Sequence, residues 1–126
     1  MKVLRIPCFL LLLLLVLALG NSVWLSRRCD GWLGALDEVD AAAQQENWDG
    51  ARQQMAALYD EWAAVQTWLH VIVAHEALNT AQSLFCTVLV LGEEEDNVEF
   101  RAHVAELRSQ LQLLAEMERV SIKNVL

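Results

Sequence analysis

One proline and five glycines in 126 residues leave this chain little with which to break helices or shape turns. The proline, Pro7, falls in the first turn of the opening stretch, where a missing N–H costs little. No segment alternates strictly between apolar and polar residues, and no Asn-Gly pair marks a hairpin, so strands are not expected. Basic charge is scarce too: nine Lys and Arg stand against seventeen Asp and Glu. All seventeen carboxylates lie at or beyond Asp30, where only Arg52, Arg101, Arg108, Arg119 and Lys123 oppose them. That balance excludes nucleic acid as a partner, since nucleic acid needs a basic footprint. It also argues against a domain lying flat on an anionic membrane. An acidic solvated surface is the simplest account.

What the chain does have is a long apolar run, Ile6–Leu19, with Lys2 and Arg5 before it and Arg27 and Arg28 after it. A basic start, a leucine-rich centre and Ala18 and Gly20 at the −3 and −1 positions fit a signal peptide cleaved after Gly20. The competing expectation is a retained anchor over Val3–Leu25, about 35 Å long at 1.5 Å per residue. Trp24 then lies at the interface and Arg27 and Arg28 reach headgroup phosphates. A buried core helix is the third possibility. The expected organisation is residues 1–29 as transmembrane anchor or signal segment and 30–126 as an acidic helical domain. Cys29 is too far along for a lipobox, and Cys8 would be a lipid-buried thiol.

Gly20–Asp30 reads as an exit segment, with Asp30 capping a first soluble helix. Trp32, Leu33, Leu36, Val39 and Ala43 recur at helical spacing, with Asp37, Glu38 and Asp40 outside. Asn47 is placed to cap the next helix, whose stripe is Trp48, Ala51, Met55, Leu58, Trp62 and Val65. Asp49 and Arg52 can pair one turn apart. A weak break is expected near Gln66–Thr67, followed by a third helix with Val71, Ala74, Leu78, Ala81, Phe85 and Val88 three and four apart. Ala77, Leu84 and Leu91 widen that stripe, and Gly92 is a natural stop. Asp96 and Glu99 form a capping-box-like start to a last helix carrying Phe100, Val104, Leu107, Leu111 and Leu114. Ser121–Leu126 is expected as a tail whose Ile122, Val125 and Leu126 dock. The predicted fold is all-α: an N-terminal transmembrane helix, then an antiparallel bundle of three or four helices.

Little here resembles catalytic machinery. His75-Glu76-Ala77-Leu78-Asn79 has Asn79 where a zinc protease needs a second imidazole one turn on, and asparagine is a poor zinc ligand. A metal-dependent hydrolase using His75 and Glu76 is thus the weakest hypothesis. His70, His75 and His103 are too scattered to predict a metal site, and no cofactor is implied. Trp68, Ile72, His75, Asn79 and Gln82 are expected on one flank of the third helix, as a polar seam, a half-exposed face or a partner contact. Cys29 and Cys86 could bridge in an oxidising compartment, although Cys86, beside Phe85, reads better as a small buried hydrophobe. The tryptophans read as core filling, with any exposed ring marking an interface.

Trp48, Trp62, Trp68, His75, the Glu116/Glu118 region and Asn124 within the closing Ser121–Leu126 segment carry a resemblance over nearly the whole chain. It resembles the family known as domain of unknown function 4363, small proteins of Gram-positive, mostly clostridial bacteria. The resemblance implies a single-pass, membrane-anchored helical protein, often encoded beside a polytopic membrane protein, and it supplies no catalytic residues. The expectation is a non-enzymatic accessory or scaffold protein of the cell membrane. Its extracytoplasmic domain would bind another membrane or envelope protein, with Trp68, His75 and Asn79 as first candidates for contact and Trp32 as second. The alternative is a secreted helical binding module released after Gly20.

Overall fold

The computed structural model describes residues 2–73 and 75–125, with side chains described throughout these except at Lys2, Ile72, Ser121, Ile122, Asn124 and Val125. They form four helices: α1 (Lys2–Gln44), α2 (Trp48–Ile72), α3 (His75–Glu94) and α4 (Asn97–Val125). No strand occurs among the described residues.

The exit segment expected over Gly20–Asp30 is helical, and Asp30 caps nothing; α1 runs unbroken from the apolar run into the packed part. Burial explains why. Leu25 and Cys29 are fully buried and extend the Trp32, Leu36, Val39 and Ala43 stripe backward at spacings of four and three. A Cβ at Gly20 or Gly31 would meet nothing, so neither glycine marks a bend or a close approach. Val3–Leu14 and Val16–Gly20 are exposed, and the most apolar window of α1 has a mean hydropathy of 2.6 with none of it buried. The idea of a buried core helix is therefore overturned. By length and composition α1 is able to cross a membrane.

At the α1–α2 turn, Glu46 takes a left-handed φ of 58°, and the Asn47 N–H donates to the Ala42 carbonyl at 2.9 Å. Asn47 caps α2 by accepting from the Gly50 N–H at 3.1 Å. The break expected at Gln66–Thr67 falls later, because fully buried Leu69 carries the α2 stripe one turn further. The helix ends when Val73 turns extended, its N–H donating to the Leu69 carbonyl at 2.9 Å. Ala74, assigned to the third stripe from sequence, lies outside the described residues.

Gly92 does not stop α3, which continues to Glu94 before Glu95 turns left-handed at φ 55°. Gly92 instead admits the Phe100 ring, which would lie 3.3 Å from a Cβ at that position. Asp96 caps α4 by accepting from the Glu99 N–H at 3.2 Å. The tail expected from Ser121 is helical as far as Val125. The docking of Ile122, Val125 and Leu126 lies outside the described side chains.

α1 packs on α2 and α4, and α3 packs on the same two helices from the other side. Cross-helix pairs set the directions. Asp37 meets Arg108 while Ser26 meets Arg119, so α4 runs opposite to α1. Arg52 meets Glu95 while Trp62 meets Gln82, so α3 runs opposite to α2. The centre is aromatic: Trp62 lies 5.6 Å from Trp32 and 5.0 Å from Phe85, centroid to centroid. Phe100 and Trp48 close the far end at 5.3 Å.

Candidate functional site

The residues singled out from sequence do not form one flank. Trp68 and Ile72 belong to α2, whereas His75, Asn79 and Gln82 belong to α3. His70 stacks toward His75 with ring centroids 5.4 Å apart, so this side of α2 faces α3. Trp68 is two residues earlier, roughly 200° around the helix axis, and therefore points away from that groove. His75 and Asn79 are exposed on α3, and Trp68 keeps 46% of its surface exposed. Trp32 is 1% exposed and lies in the core, which leaves it no surface to offer a partner.

Gln82 is where a polar seam does form. Its side-chain carbonyl accepts from the Trp62 indole N–H at 2.9 Å, and its amide donates to the Tyr59 hydroxyl at 3.0 Å. One side chain thus ties the wet edge of α3 to two aromatic residues of α2. The Trp32 indole N–H, by contrast, is enclosed without an acceptor among the described residues.

The thiols are free: Cys29 is buried, Cys86 and Cys8 exposed, and no bridge joins Cys29 to Cys86. The expectation of a buried Cys86 fails because its position turns toward the open edge beside Gln82. Burial, reinforced by the charge of Asp30, pushes the Cys29 thiol up to about 12, so it stays protonated and unreactive at neutral pH.

Charge is organised along the helix pairs. Arg101 and Arg108 of α4 bond Asp40 and Asp37 of α1, both at 2.9 Å. Arg52 holds the far end of the α2–α3 pair, meeting Asp49 at 2.6 Å, Glu95 at 3.0 Å and the Gly92 carbonyl at 3.3 Å. A cleft of about 350 Å³ opens beside it, lined mainly by apolar side chains including Met55, Val88, Leu89 and Phe100. Its one cation is already engaged by those acceptors, so no set of polar groups converges on a ligand there. The His103 Nδ1–H donates to the Glu99 carbonyl at 2.8 Å within α4. Among the described residues no three of His, Cys, Asp and Glu converge as a metal site would require.

No curated protein and no solved structure matches the chain. A family model does, over residues 21–125: the domain of unknown function DUF4363. It covers all of α2, α3 and α4 and the part of α1 that enters the core. With that match over most of its length, the chain belongs to the DUF4363 family.

Proposed function

We propose that the protein is a single-pass, membrane-anchored accessory or scaffold protein without enzymatic activity. α1 crosses the bilayer, and the acidic part forms an antiparallel bundle outside the cytoplasmic membrane that binds another membrane or envelope protein. The carrying observation is that α1 is one continuous helix, with an apolar, unburied stretch in its first half and a core element in its second. A partner diffusing in the same membrane would meet the domain at fixed height and orientation. His75 and Asn79, exposed beside the α2–α3 groove, are the contact residues proposed for it.

A photo-crosslinker at position 83, exposed on α3 one turn from Asn79, tests the reading in native membranes. A single specific neighbour that disappears in the His75→Ala, Asn79→Ala double variant is expected. Recovery of no neighbour, or a complex indifferent to both substitutions, would sink it.

One observation favours release instead. The core begins at Leu25, so cleavage after Gly20 would leave every fully buried side chain in place. The intact mass of the native protein separates the two readings.

A further inference from the structure

The packed part has an end from which α1 leaves, and its height relative to a membrane follows from the helix pairings. Trp32 faces Trp62, and α2 continues ten residues to Ile72, about 15 Å, reaching the level of Ser22 on α1. Arg119 bonds Ser26, and α4 continues six residues to Val125, about 9 Å, reaching the level of Gly20. A crossing that starts at Val3 needs about 20 residues for the ~30 Å hydrocarbon layer and so ends near Ser22. No loop separates α1 in the membrane from α1 in the core. The ends of α2 and α4 are therefore held at the hydrocarbon boundary, within the headgroup layer.

The chemistry of this end fits that place. Val71 is 73% exposed, Trp68 46% and Val120 55%. The guanidinium of Arg28 lies 5.9 Å from the centre of the Trp24 ring, an aromatic and a cation paired at interface level. Arg52, Arg101 and Arg108, further up, are each bound to carboxylates. Arg27, Arg28, Arg119 and Lys123 are exposed near the exit; among the described residues Glu76 and Glu118 lie at their level, with Asp30 and Glu116 one or two residues further up.

We propose that this end of the domain is seated in the headgroup layer of the leaflet from which α1 emerges. Trp68 and Val71 reach the acyl boundary, and Arg27, Arg28, Arg119 and Lys123 lie against anionic lipid phosphates. The acidic flanks are repelled by the same phosphates, so the domain stands on its end. The proposal rests on the anchored reading of α1.

The test uses full-length protein with Cys8→Ala and Cys86→Ser, leaving Cys29 shielded in the core. It is labelled with an environment-sensitive dye at Val71→Cys or, as a control near the opposite end, at Val98→Cys, whose valine is 78% exposed. The protein is reconstituted alone into vesicles with or without phosphatidylglycerol. Quenching by nitroxide lipids severalfold stronger at 71 than at 98, and deeper with phosphatidylglycerol, is expected. Equal quenching at the two positions in protein that resists carbonate extraction overturns the seating while leaving the anchor intact. Equal depth at 71 in both kinds of vesicle overturns the assignment to anionic headgroups. Extraction by carbonate overturns the anchor, and the seating with it. Shielding of position 71 in native membranes but not in vesicles gives the face to a protein partner instead.

Discussion

The indole N–H of Trp62 donates to the side-chain carbonyl of Gln82 at 2.9 Å, across the α2–α3 boundary. Trp32, packed edge to face against Trp62, has no acceptor for its own N–H among the described residues. The two tryptophans therefore differ in what their nitrogen contributes. Trp62→Phe loses a bond and strands the Gln82 carbonyl, whereas Trp32→Phe removes a donor that was unsatisfied. Urea unfolding should show Trp62→Phe the more destabilising by about 1–3 kcal/mol. Equal losses would mean that the hydrogen bond adds nothing to stability. Gln82→Leu should approach the Trp62→Phe loss, since it orphans the same N–H.

The thiols should separate by reactivity. With the protein in vesicles, a membrane-impermeant thiol reagent on the domain side should label Cys86 at once and Cys29 only after denaturation. The folded pKa of Cys29 lies above its ordinary 9.0, at about 12. The stability tied to it is fully present below pH 9.0 and is lost as the pH rises toward that folded value. Cys29→Ala should remove this alkaline component from the pH profile of thermal unfolding; an unchanged profile would assign it elsewhere.

Glu118 should behave as a carboxylate held against its preference. Burial raises its pKa above the ordinary 4.5. The folded state thus binds its proton more tightly than the unfolded chain, and stability falls as the pH climbs through the raised value. Glu118→Gln should raise the melting temperature at pH 7 and leave it little changed below pH 4. A gain at both pH values would point to packing rather than charge.

Backbone strain is concentrated in the turns. Glu46 holds a left-handed φ of 58°, which a residue with a Cβ adopts at a cost. Glu46→Gly should therefore stabilise the protein by about 0.5–1 kcal/mol in denaturant unfolding. Glu95 shares this conformation but also binds Arg52, so the same substitution there should gain less.

Most of the core was legible from residue order alone, because three-and-four spacing names the buried face wherever a helix forms. Leu36, Met55, Phe85 and Leu107 were found this way, and each is almost completely buried. Caps were legible where a short polar side chain had one helix start to serve, as at Asn47 and Asp96. Helix ends were harder. Gly92 has the composition of a stop, yet it serves the approach of Phe100, a residue from the next helix. Leu69 prolongs α2 because it is buried in the common core, which local pattern does not reveal. Gln82 was placed on the right helix, but its partners Trp62 and Tyr59 sit on α2, and nothing in local spacing announces a bond between helices.

Charge balance, helical class and an apolar segment long enough for a bilayer follow from composition and order, since they depend on solvation and on a fixed helical period. Whether the apolar segment hangs on a tether or grows out of the core depends on contacts between residues far apart. Packing Leu25 and Cys29 into the common core makes α1 continuous, and pairing Ser26 with Arg119 places the end of α4 level with Gly20. Those long-range contacts bring exposed Trp68 and Val71 to the helix exit and send Trp32 to the centre. Burial against partners distant in sequence made that choice.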